Sequence, residues 1–256
     1  MSKVLKRCMA LLAILILTFS GLLSINASWM SPSSQDFISD KNNIIVFLNA
    51  TEKAKENISK ILDIPKDTIS EFTQEVLYQP ISTEIEDEKE NPVAWYDIED
   101  KIIYFLANFI LNYIKHGDLN VLQHEITHAF ICNYLGKDAV NDRFGVFFNE
   151  GIADLCDDHV NLGDDLNLDE ADQAYKCMHI STFSNLDISI ENEIHLHSYF
   201  KEVMKTWLGK RKITVLKFLD RVKAGETSKD VFFTSGGEKV LRECKLMNFI
   251  LELYEN

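Results

Sequence analysis

The sequence predicts an α+β molecule: a small N-terminal lobe of sheet and helix, one central helix, and a mainly helical C-terminal lobe. Three observations predict it. Residues 93–106 alternate apolar and polar positions and are rich in aromatics, which is the period of a half-buried strand pair. His124 and His128 sit four apart in a stretch with helical periodicity. Beyond residue 190, two long segments, at about 196–207 and 212–223, carry helical patterns.

The elements follow in order. Lys3, Lys6 and Arg7 precede an apolar run from Cys8 to Phe19, and small or polar residues follow to Ser28. That is the outline of a secretory signal over residues 1–27. An uncleaved N-terminal anchor is the other reading, since Cys8–Leu23 nearly reaches the length that crosses a bilayer. Residues 28–43 read as a linker and 44–118 as the N-terminal lobe. Within it, Ile44–Leu48 is a strand candidate, and Thr51 can cap a helix that runs to Leu62 before Pro65. Glu71–Tyr78 reads as a second strand closed by Pro80. The charged run Glu84–Glu90 reads as a solvated loop. Residues 93–106 read as a hairpin turning at Ile98–Asp100. Residues 119–256 hold the central helix, expected at Leu119–Leu135, and the helical lobe; together with 44–118 they form one domain.

The chain has 256 residues, 46% of them hydrophobic, which is enough for one substantial core. Its formal charge is −14, and the first 27 residues contribute only positive charge, so the remainder is more acidic still. Such a chain does not attract nucleic acid or anionic membrane through bulk charge. Membrane attachment is expected only if the N-terminal segment stays uncleaved. Cys132, Cys156, Cys177 and Cys244 follow the leader. Cys132 and Cys156 are either a disulfide fixing two helices or buried thiols; without Cys-x-x-Cys spacing they are not metal ligands.

The chemistry concentrates at His124-Glu125-Ile126-Thr127-His128. Histidines four apart on a helix lie about 5–6 Å from each other on one face and can share one Zn2+ with bonds of about 2.0–2.1 Å. Glu125 is placed to activate a water at the metal as general base. A zinc site needs a third protein ligand and an open position. Glu150, in Asn149-Glu150-Gly151-Ile152-Ala153-Asp154, is the candidate third ligand. Asp154, one helical turn beyond it, is placed to hold the far nitrogen of His124. The acidic stretch from Asp157 to Asp172 fails as a calcium loop, because Glu170 stands where the loop needs glycine and Lys176 where it needs glutamate. A G-x-S-x-G elbow and a phosphate-binding glycine loop are both missing from the sequence.

With the segments 124–130 and 148–154, the chain resembles the gluzincin metallopeptidases, which bind zinc through two histidines and a glutamate. The likeness extends from about 93 to 224. It implies a zincin-like fold, a bound Zn2+, a peptide or protein substrate, and hydrolysis by a zinc-activated water; the leader adds that such an enzyme is secreted. It also implies an edge strand within 93–105 that pairs with extended substrate. The resemblance places an oxyanion donor beyond Glu150, where Tyr199 is the first candidate and His197 and His195 the alternatives. The G-x-M-E-N segment of the aminopeptidases in this group is missing, which favours endopeptidase activity. The alternatives are a non-catalytic secreted binding protein on the same scaffold and a zinc enzyme acting on a non-peptide amide. His116, His159 and His179 have no motif context.

Overall fold

A computed structural model describes residues 40–81, 93–159, 168–181, 190–211 and 213–244. The expected leader, the charged run 84–90 and most of the acidic stretch after residue 159 lie outside the described residues. The molecule is mostly helical with one small sheet, an α+β arrangement as expected.

The first element corrects the sequence reading. Ile44–Leu48 is not a strand but part of helix α1, Lys41–Leu62, which also takes in three residues of the expected linker. Asp40 starts it by accepting the N–H of Asn42 at 2.8 Å. Phe47, Ala50, Thr51, Ala54, Ile58 and Leu62 form its buried stripe, at helical spacing. A five-residue apolar run cannot by itself separate a strand from a helix face, and here the longer period wins. The helix stops at Asp63, whose left-handed backbone returns its N–H to Ser59.

The second strand is also corrected. Residues Lys66–Thr73 form helix α2, launched after Pro65, and the strand β1 begins only at Leu77 and runs to Ile81. Pro80 sits inside β1, which is tolerable because among the described residues β1 is paired on one side only. The hairpin appears where the alternation puts it: β2, Ala94–Asp97, and β3, Ile102–Leu106. Asp97 accepts the N–H groups of Glu99 and Asp100 to close the turn, and Lys101 takes a positive φ of 56°. The sheet order is β1-β3-β2, with β1 parallel and β2 antiparallel to β3. A parallel pair needs a long crossover, and β2 fills the space on the far side of β3.

Helix α3, Ala107–Lys115, leaves β3 directly, and Gly117, at φ 79°, turns the chain. Asp118 accepts the N–H of Asn120 at 3.0 Å and starts helix α4, Asn120–Leu135. Eleven of the sixteen residues of α4 are buried, which is the signature of a helix enclosed on most sides. Contacts with α1, α2, β2 and the helices beyond it make α4 the spine between sheet and helical part. Then come α5, Lys137–Arg143; α6, Val146–Leu155; α7, Leu168–Cys177; α8, Ile190–Arg211; α9, Val215–Lys223; α10, Ser228–Thr234; and α11, Gly237–Glu243.

Helices α6 and α8 form the tightest helix pair. A Cβ on Gly151 of α6 would lie 2.6 Å from Cγ of Met204 and 3.0 Å from the carbonyl oxygen of Phe200, so only glycine permits this approach. Around them Phe147, Phe148, Phe200, Trp207, Phe218 and Phe232 pack ring against ring in the largest part of the core. Cys132, Cys156, Cys177 and Cys244 are free thiols, so the disulfide alternative for Cys132 and Cys156 is not realised. Among the described residues no helix is long and apolar enough to cross a membrane.

Candidate metal centre

Helix α4 offers His124 and His128 from one face, and α6 crosses it to bring up Glu150. The Nε2 atoms of His124 and His128 lie 2.9 Å apart, and Oε2 of Glu150 lies 3.4 Å from the first and 3.2 Å from the second. Four ligands at about 2.0–2.1 Å in tetrahedral array stand about 3.3 Å from one another. The three donor atoms therefore already outline one face of such a tetrahedron. Among the described residues this is the one group of three or more potential ligands close enough to hold a metal ion.

The electrostatics agree with a site built for a cation. Burial opposes charge on Glu150, yet the facing His128, His124 and His197 hold its carboxyl well below the usual range. Burial likewise opposes charge on His124, and Asp154 and Glu150 overcome it and raise its pKa well above the ordinary value. These groups thus share one pocket of strong mutual field, the kind of cluster found at functional sites.

Asp154 lies where the sequence places it and does more than expected. It is fully buried on α6, one turn past Glu150. Its Oδ1 stands 3.2 Å from Nδ1 of His124, a contact too poorly aligned to satisfy either atom as a hydrogen bond. Its Oδ2 accepts from Nδ1 of His197 at 3.0 Å. One carboxylate therefore touches an expected ligand and a histidine on a third helix. The Nδ1 of His128 is buried without a partner among the described residues.

The three downstream candidates separate cleanly by position. His197 reaches the site: its Nδ1 is also 3.9 Å from Oε2 of Glu150. Tyr199 does not. It is 1% exposed, its ring packs edge-on against Phe147, and its hydroxyl is buried without a partner among the described residues. His195 is exposed and paired through Nδ1 with Glu170 at 3.1 Å. The signal for this was present in the sequence. Leu196, Tyr199, Phe200, Val203 and Trp207 are the apolar stripe of α8, which commits residue 199 to the core. His197 and Lys201, four apart, form the neighbouring stripe that meets the end of α6, where Lys201 donates to the carbonyl of Asp157.

Glu125 points to the sheet side of α4. Burial raises its pKa, partly countered by the nearby His124 and His128 and by the backbone N–H of Tyr96 facing its carboxylate. The register explains that N–H. Leu106 donates to the carbonyl of Val93 at 2.9 Å, which makes Val93, Trp95 and Asp97 the residues of β2 bonded to β3. Ala94 and Tyr96 then direct their N–H and C=O groups to the other edge. Among the described residues no strand pairs with that edge. Sequence reasoning had no means of finding the Tyr96 N–H, since a backbone group carries no residue-type signal. Trp95, on the opposite face of β2, stacks on Tyr104 with ring centroids 5.1 Å apart.

Compared with known proteins, the chain matches no family model, no curated protein and no solved structure. The site's chemistry alone therefore carries the functional argument.

Proposed function

We propose that the chain is a zinc-dependent peptidase of gluzincin type, with a zincin-like arrangement of edge strand and metal helices, acting as an endopeptidase on extended peptide. The observation that carries this reading is the coincidence of three tetrahedrally spaced donors with a buried glutamate beside them and an open strand edge next to that glutamate. His124, His128 and Glu150 would hold the ion. Two nitrogens and one carboxylate oxygen suit Zn2+ and leave one position open. A bound zinc polarises a carbonyl and acidifies water.

The chain's own groups supply the rest. Glu125 accepts the proton of the attacking water and passes it to the leaving amine; a carboxylate whose pKa burial has raised is suited to both roles. His197, held at Nδ1 by Asp154, donates to the oxyanion that develops on the scissile carbonyl. Asp154 keeps the rings of His124 and His197 in place. An extended substrate adds to the edge of β2 through Ala94 and Tyr96, with main-chain bonds for affinity and side-chain pockets for specificity. Secretion follows in this reading from the leader at residues 1–27.

The test is metal analysis together with cleavage of a peptide library by the chain and by its Glu125→Gln variant. One zinc per chain, with cleavage lost in the variant, is the expected result. Full activity in Glu125→Gln would sink the mechanism, and a chain that takes up no zinc would sink the site.

A further inference from the structure

The face of the sheet turned away from α4 carries a pair of stacked rings beside the open edge of β2. Trp95 and Tyr104 are register partners on β2 and β3, their ring centroids 5.1 Å apart and their planes inclined by 22°. Both side chains are partly exposed. One face of the indole lies against Tyr104. The other is directed away from β3, toward the edge that no described strand occupies. Among the described residues Tyr104 is the one ring that Trp95 meets.

Two carboxylates stand at the same face. Asp97 lies two residues beyond Trp95 on β2 and so shares its side of the sheet. Asp100 follows in the turn. Burial, then the charges of Asp100 and Asp97, raise the pKa of the Tyr104 phenol, which puts both acids near its hydroxyl. Asp97 accepts the N–H groups of Glu99 and Asp100, bonds that leave its charge uncancelled. Lys101 in the turn and Lys137 at the start of α5 are held by Glu75 and Glu99. Among the described residues neither Asp97 nor Asp100 has an ion-pair partner.

A strand added to the edge of β2 would send alternate side chains to this face, about 4.8 Å from β2. The residue opposite Trp95 then stands against the free face of the indole, and Asp97 is its diagonal neighbour. A cation over an aromatic face is attracted by the ring. A guanidinium adds a flat surface that stacks and a fork that reaches a carboxylate.

We propose that Trp95, Tyr104, Asp97 and Asp100 form a subsite that selects a basic side chain, arginine foremost, in the extended substrate. The proposal rests on the strand-edge part of the peptidase reading and adds the substrate class. Tyr96 meets Glu125 at the metal centre, so the basic residue sits within about two residues of the scissile bond.

The experiment measures binding of fluorescein-labelled octapeptides to the full zinc-loaded chain carrying Glu125→Gln, so that nothing is cut. The peptides of each pair differ only by arginine or glutamine at one position, which is stepped along the peptide. One position should favour arginine by roughly threefold to thirtyfold, the range of a cation over an aromatic face. Trp95→Leu should bring that ratio close to one. Asp100→Asn should reduce it by about twofold, and added salt should do the same. Should the Trp95 variant fail to fold, the aspartate variant and the salt series carry the test. Glu238→Gln, which removes an acid paired with Arg242, should keep the parent ratio. No arginine preference at any position, or a preference that survives both Trp95→Leu and Asp100→Asn, overturns the proposal. Cleavage of the same peptides by the unsubstituted chain separates this subsite from the peptidase reading. Cutting without a basic preference would remove the subsite alone. Arginine-selective binding without cutting would uphold the subsite and remove the catalysis.

Discussion

Asp154 uses both of its oxygens, one toward His124 and one toward His197, and this has measurable consequences for metal and proton alike. Removing the partner of a ligand histidine typically costs 10–100-fold in metal affinity. Asp154→Asn is therefore expected to weaken zinc binding by about that factor, measured by competition with a chromogenic chelator, while the fold survives. Unchanged affinity would mean that the packing of α4 alone fixes His124. The same pair predicts a pH effect in the metal-free protein. Burial opposes the charge on His197, but Asp154 dominates and lifts its pKa to about 9; Asp154 itself is lowered, burial again opposing and His197 and His124 prevailing. For the histidine, the folded pKa lies above the unfolded one near 6.5, so its stabilisation is complete below about pH 6.5 and fades as pH rises toward 9. For the aspartate, stabilisation is present above its unfolded pKa near 3.9 and is lost as pH falls through the lowered folded value. The pair's share of stability is thus greatest between about pH 4 and 6.5. His197→Gln should flatten the alkaline limb of a plot of unfolding midpoint against pH. A limb as steep as in the parent would show that His197 and Asp154 are not coupled.

At the scale of elements, the close crossing of α6 and α8 sets how far His197 is from Asp154. Gly151→Ala places a methyl against Met204 and the backbone of Phe200. Met204 can swing, but the carbonyl of Phe200 cannot, so the helices must part by a few tenths of an ångström. Overpacking of this kind costs about 1–3 kcal/mol, against a helix-propensity gain of up to about 1 kcal/mol. Chemical denaturation should show a net loss, and metal affinity should fall with it, because Glu150 adjoins the substituted position. A stabilised Gly151→Ala variant would mean that the crossing is looser than these distances imply. The same elements show what the sequence can and cannot convey. Glu150 and Asp154 were legible because a helical turn separates them, and the hairpin was legible because its alternation is clean. The strand expected at Ile44–Leu48 was not, because its five apolar residues fit a helix face once Phe47 is read with Ala50, Ala54 and Ile58. The strand expected from Glu71 began six residues too early, because the short α2 carries its apolar positions at only Ile69 and Phe72. That Tyr199 faces the core and His197 faces Asp154 was not legible, because it depends on rotation about the axis of α8: its apolar stripe fixes the phase, and a phase is invisible when residues are weighed one at a time.

Across the whole molecule, the candidate metal centre joins the sheet-bearing part to the helical part. His124 and His128 belong to the spine α4, Glu150 to α6, and the two helices share no local sequence contact. A ligand that binds only the folded state stabilises it by mass action, by about 2.7 kcal/mol at a hundredfold excess over its dissociation constant and about 4.1 kcal/mol at a thousandfold. The buried charge of Asp154 and the mostly covered charge of Glu150 add to the dependence, since a carboxylate out of water needs a cation close by. Their histidine partners fill that role only while protonated. A zinc ion would fill it at any pH at which the histidines are neutral. Removal of zinc by a chelator is therefore expected to lower the unfolding midpoint by several degrees above about pH 9, where His197 is losing its proton, and by less near pH 6, where the histidines of the metal-free cluster are still charged. Restoring one equivalent of zinc should recover the midpoint. Glu150→Gln, which weakens one ligand and removes the charge, should respond to neither treatment. Equal midpoints with and without metal at both pH values would show that no ion bridges α4 and α6, and the proposed chemistry would lose its centre.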